Sequence, residues 1–95
     1  MAVVDYDVKC YENIIDYFEL GDETDIQEIY GRLRFEKEWD SIPEKLKQRI
    51  LAVDNLVLER YQDWFDYSIF IDYIKCIKNR LRIEAERNKA DDDMV

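Results

Sequence analysis

Carboxylates one helical turn apart are the residues of this chain best placed to do chemistry. Asp22-x-x-Asp25-x-x-Glu28 and Asp63-x-x-Asp66 are spaced so that a helix would put each set on one face. Hard oxygen ligands in that arrangement suit a magnesium ion. Two facts weaken the reading. With 23 acids among 95 residues such spacings arise by chance, and acids at a helix start favour the helix dipole with no metal present. The absence of histidine removes Ser-His and Cys-His nucleophiles and the Glu-x-x-His pattern of di-iron bundles. Cys10 and Cys76 form no C-x-x-C motif, and two thiolates cannot complete a structural zinc tetrahedron. Both fall at the edges of apolar faces, where packing is the expected role. Reduced thiols are expected, with a Cys10–Cys76 disulfide left open. Only Gly21 and Gly31 are present, so there is no glycine-rich phosphate loop.

The paired i, i+3 acids resemble those of all-α nucleoside triphosphate pyrophosphatases. That resemblance implies Asp25, Glu28, Asp63 and Asp66 converging on magnesium and hydrolysing a nucleotide. The first run straddles the expected start of a helix, and the second flanks an expected turn. The chain is also similar in class to colicin-type immunity proteins, which are small, acidic and helical, but no shared motif carries residues across.

The elements that position these side chains follow from apolar periodicity. Val8, Tyr11, Ile14, Ile15 and Phe18 share one face of a helix over 7–20, ended by Gly21. Thr24 and Gln27 have capping-box spacing at the start of a helix over 25–38, lined by Ile26, Ile29, Tyr30 and Leu33. Gly31 lies inside it. Phe35 and Trp39 fall off its stripe and are expected to be exposed. Ser41-Ile42-Pro43-Glu44 reads as the start of a helix over 43–65, Ser41 capping and Glu44 reaching back. Leu46, Ile50, Val53, Val57, Tyr61 and Trp64 form its stripe. Past Asp66 the apolar phase jumps, which favours a turn there and a fourth helix over 67–88. Tyr67, Phe70, Ile71 and Ile74 belong to an apolar surface wider than one core-facing stripe needs. They are expected to form an oligomer interface. No internal repeat is expected.

Charge is unevenly placed. Residues 1–28 hold nine acids against one base, and residues 75–89 hold six bases against two acids, within a net charge of −9. Direct nucleic-acid binding is therefore not expected, although Lys75, Lys78 and Arg82 share a face. Basic residues there complement the helix dipole. A charge content of 39%, with two glycines and one proline, is typical of proteins from hot environments and equally of any helix-rich chain. No apolar stretch is long enough for a signal peptide or a membrane span, so a cytoplasmic protein is expected.

The expected fold is all-α: a compact bundle of about four helices over residues 1–90, with 91–95 a disordered acidic tail. The expected function is non-catalytic and needs no cofactor or metal. It is a small protein-interaction module, an inhibitor or regulator of antitoxin, immunity or viral anti-host type, and a homodimer. Its acidic row Glu12, Asp16, Glu19 and its aromatics Phe35 and Trp39 would bind a partner with a basic surface. The alternatives are the metal-dependent enzyme above and a structural subunit of a homo-oligomer.

Overall fold

The computed structural model describes residues 3–16, 25–61 and 68–93, with side chains over 3–16, 27–61 and 69–87. These residues form α1 (Asp5–Glu12), α2 (Asp25–Lys37), a 3-10 turn (Trp39–Ser41), α3 (Glu44–Tyr61) and α4 (Ser68–Asp93). The chain is an all-α bundle of four principal helices, as its apolar periodicity predicts.

Among the described residues, the helix ends at 4–5, 12–13 and 37–44 have local causes. The expected Thr24 cap and the expected turn past Asp66 lie outside them. The Val4 N–H donates to Asp7 Oδ2 at 3.0 Å, closing the first turn of α1. The helix breaks at Asn13, whose N–H bonds the Cys10 carbonyl at 3.2 Å, and turns helical again over 14–16. The expected single helix over 7–20 is thus interrupted. At the end of α2 the Glu38 N–H is shared between the Arg34 and Phe35 carbonyls, both at 3.2 Å. The chain then tightens into the 3-10 turn. That turn takes Ser41, whose Oγ donates to the Glu38 carbonyl at 2.8 Å. The expected Ser41–Glu44 capping box does not form, and Glu44 instead accepts from Gln48 at 3.0 Å. Ile42 is extended, as the residue before proline prefers, and the Pro43 carbonyl receives the first N–H groups of α3. The fourth helix runs past its expected end at 88 and takes Asp91, Asp92 and Asp93 into the helix. No glycine or proline follows Pro43 to stop it.

Packing makes a ring. Helix α1 packs on α2 and α3, and α4 packs on the same two. The diagonals of the ring are therefore α1/α4 and α2/α3. Contacts along α2 and α4 advance together, Glu36 to Arg80 and Trp39 to Glu84, so those neighbours run parallel. Asp5 to Arg49 and Tyr11 to Asp54 advance likewise along α1 and α3. The bundle is therefore two helical hairpins, α1–α2 and α3–α4, laid side by side. Its smallest dimension, 19 Å, is about two helix diameters. Val8, Tyr11, Ile14, Ile29, Phe35, Trp39, Ile50, Val57, Tyr73 and Ile77 fill one core.

The hairpins share more than shape, which corrects the expectation of no repeat. Helix α2 reads Ile26-x-x-Ile29-x-x-Arg32-Leu33-Arg34-x-Glu36-x-Glu38. Forty-eight positions on, α4 reads Ile74-x-x-Ile77-x-x-Arg80-Leu81-Arg82-x-Glu84-x-Glu86, identical at seven of thirteen positions. Periodicity alone hides this match, because it records where apolar residues fall and ignores which polar residues stand between them.

Candidate functional site

Each of the four helices sends one polar side chain to the centre of the bundle. Arg32 of α2 and Asp54 of α3 are fully buried, at 0% exposure. Their pairing is bidentate: Nη2 to Oδ2 at 2.8 Å and Nε to Oδ1 at 3.0 Å. Tyr11 of α1 donates to Asp54 Oδ1 at 2.6 Å. Its hydroxyl also lies 2.7 Å from that of Tyr73 of α4. Arg32–Asp54 thus spans one diagonal of the ring and Tyr11–Tyr73 the other. Ring contacts support the geometry, Tyr11 meeting Phe35 and Tyr73 edge-on at 6.0 and 6.4 Å.

A second layer continues the network toward one end. Arg32 Nη1 donates to Glu36 at 3.2 Å, and Arg80 binds the same Glu36 carboxylate at 2.5 Å. Arg80 also reaches Glu84, and Glu84 accepts from the Trp39 indole N–H at 3.2 Å. The Trp39 ring is packed against cations, Arg80 at 4.6 Å, Arg32 at 5.4 Å and Lys47 at 5.8 Å from its centroid.

Burial sets the electrostatics. It pushes the Asp54 carboxyl above the usual aspartate value, partly offset by Arg32 and the Tyr11 hydroxyl. It works against the Arg32 charge too, but Asp54 more than compensates and holds the guanidinium protonated. Burial and the neighbouring Asp54 charge push both phenols above their ordinary range. Burial also raises the half-buried Cys76 thiol beside this network. Every polar group at the centre has a partner already in place, the arrangement that makes a buried ion pair tolerable.

The outer clamp is different. Arg49 of α3 binds Asp5 and Glu12, two turns apart on α1, with Nη2 2.6 Å from Glu12 Oε1. Asp5 is held below its ordinary value chiefly by its hydrogen bond to Arg49.

Two groups of expected site residues need correction. Phe35 and Trp39 are core, at 1% and 2% exposure, so they offer no surface to a partner. Phe35 packs under Tyr11, and the 3-10 turn swings the Trp39 indole inward onto Arg32 and Arg80. Phe70 and Ile74, assigned to an oligomer interface, are covered within the chain at 7% and 8% exposure. Packing of α4 on both α2 and α3 consumes the wide apolar face. Ile71 remains exposed at 45%, and Tyr67 lies outside the described residues. Of the acidic row, Glu12 is engaged by Arg49, Asp16 is exposed, and Glu19 lies outside the described residues. Asp22, Asp63, Asp66 and the side chain of Asp25 lie outside them as well. Glu28 is half-buried, and burial raises its carboxyl. Among the described residues no group of three Cys, Asp or Glu side chains is close enough to hold a metal ion. Both cysteines are free thiols. The buried quartet escaped the sequence reading, although its signal is there: Arg32 lies three residues from both Ile29 and Phe35, and Asp54 lies on the Ile50–Val57 stripe.

The fold and its core define a class: an all-α bundle of two side-by-side helical hairpins tied together by a central ion pair. Within the described residues, no helix is long and apolar enough to cross a membrane. Protein-family models, curated proteins and solved structures contain no match to the chain.

Proposed function

We propose that this protein is a non-catalytic interaction module that binds a basic protein surface through the outer face of α1. The observation carrying this reading is the exposed make-up of this end of the chain. Tyr6 of α1 is 73% exposed, the N-cap residue Val4 52%, and Asp16, just past the break at Asn13, is exposed as well. An aromatic ring set among carboxylates supplies an anchor with an orienting field around it. With Phe35 and Trp39 in the core, Tyr6 takes the anchoring part first assigned to them. The acidic row keeps its part through Asp16, since Asp5 and Glu12 are engaged by Arg49. Neutralisation or regulation of a basic cytoplasmic partner fits a small acidic domain whose central Arg32, Asp54, Tyr11 and Tyr73 are already paired with one another.

The test is retention of host proteins on the immobilised chain, compared among surface variants. Tyr6→Ala and Asp16→Lys should abolish retention of a basic partner, while Lys75→Glu with Lys78→Glu, on the opposite side of the bundle, should leave it intact. Retention indifferent to the α1 variants, or lost only with the α4 variants, overturns the reading.

A further inference from the structure

We infer that the chain is a tandem duplication of one helical hairpin, and that the seam between its halves is also a dimerisation surface, at which a second copy supplies the opposite hairpin. This goes beyond the reading above and stands whether or not a basic partner exists.

Matched residues do matched work. The i, i+4 ion pair Arg32–Glu36 in α2 is repeated by Arg80–Glu84 in α4, and Arg34–Glu38 is repeated by Arg82–Glu86. Ile29 and Ile77 are both at 0% exposure. Arg32 and Arg80 both stack on the one Trp39 ring. The other helix of each hairpin carries a fainter copy at a spacing of 47, Asp7 with Asp54 and Glu12 with Glu59; in sequence alone the spacing also matches Asp16 with Asp63 and Phe18 with Phe65. In the first of these pairs the contacts diverge: Asp7 accepts Arg34 within its own hairpin, whereas Asp54 accepts Arg32 across the seam. Chance similarity between two amphipathic helices accounts for shared apolar positions, but not for four ion pairs in the same register.

The seam is complementary in charge. Asp5 and Glu12 of the first hairpin meet Arg49 of the second, Glu36 meets Arg80, and Arg32 meets Asp54. The hairpins are joined by the short segment from Glu38 to Pro43, whose backbone hydrogen bonds are local although its Trp39 side chain enters the core and donates to Glu84. The seam ion pairs are made by helix residues alone and do not depend on which copy the connection runs to. Exchange of a self-complementary unit between copies is a low-cost route to a dimer.

The test uses the full chain in two charge-reversed forms, Arg49→Glu and the double variant Asp5→Lys with Glu12→Lys. These side chains are 31%, 56% and 37% exposed, so the core is untouched. Each form alone should unfold at lower urea concentration than the parent chain. Unfolded together and refolded as a concentrated mixture, they should give a species of doubled mass holding one copy of each. In that species one seam is native and the other reversed, so its urea midpoint should return toward that of the parent. Light scattering after size exclusion reads the mass, and mass spectrometry the composition. A mixture that stays as two monomeric species with unchanged midpoints overturns the exchange.

Discussion

Arg32 and Asp54 stand on diagonally opposed helices, yet their side chains meet at 2.8 Å in the one place the bundle holds no water-facing atom of either. The long arginine crosses the core, and the carboxylate is additionally held by Tyr11. Breaking such a pair and removing it whole have opposite consequences. Asp54→Ala leaves a buried guanidinium without its counter-ion and should destabilise by about 3–5 kcal/mol. Arg32→Met combined with Asp54→Leu should recover most of that loss or exceed the parent stability. Urea unfolding of the two single variants and the double variant measures both, and additive losses would show that the pair is not coupled.

Trp39 gives a second measurable outcome. Truncation of a buried tryptophan removes its packing and leaves a cavity, so Trp39→Ala should cost about 3–5 kcal/mol. For a domain of this size that is a fall in melting temperature of well over ten degrees, by roughly 4–8 °C per kcal/mol. A melting curve settles it, and an unchanged midpoint would place the indole on the surface.

The two central phenols predict an alkaline limb. Both are raised above the ordinary tyrosine value of 10.0, so the neutral phenol is favoured in the folded chain. A group raised in this way contributes stability that is full below pH 10 and declines as pH climbs through the folded value. Absorbance at the tyrosinate band should show two of the seven tyrosines ionising only as the helical circular dichroism is lost. Seven equivalent titrations before unfolding would contradict the buried pair.

Gly31 sits in the interior of α2, and a Cβ built there would meet nothing within 4 Å. Gly31→Ala should therefore stabilise the protein by about 0.5–1 kcal/mol through the backbone freedom it removes from the unfolded chain. A raised urea midpoint with an unchanged slope is the expected signature.

Helix positions were readable because burial repeats every 3.6 residues: Tyr11 and Ile14, Ile29 and Leu33, Ile50 and Val57 each mark a core-facing stripe. The site was less readable, for reasons that can be named. Arg32 and Asp54 interrupt their stripes with charge, and a single sequence does not say that two such interruptions on different helices will meet. Trp39 looked exposed because its direction is set by a 3-10 turn, whose period differs from that of the helix before it. Phe70 and Ile74 looked surplus because a wide apolar face reads the same whether two helices or a partner cover it. Tyr6 was missed because the expected helix began at residue 7; α1 begins at Asp5 and so includes it.

The polar quartet has one more effect, on how the protein comes apart. Tyr11, Arg32, Asp54 and Tyr73 come from four different helices, so any partly assembled state with one helix detached strands at least one of them without its partner in a dehydrated interior. Intermediates are thereby penalised more than either end state. A chain this small, its halves tied by the quartet and by the Arg49 and Arg80 ion pairs, should therefore melt in a single all-or-none step.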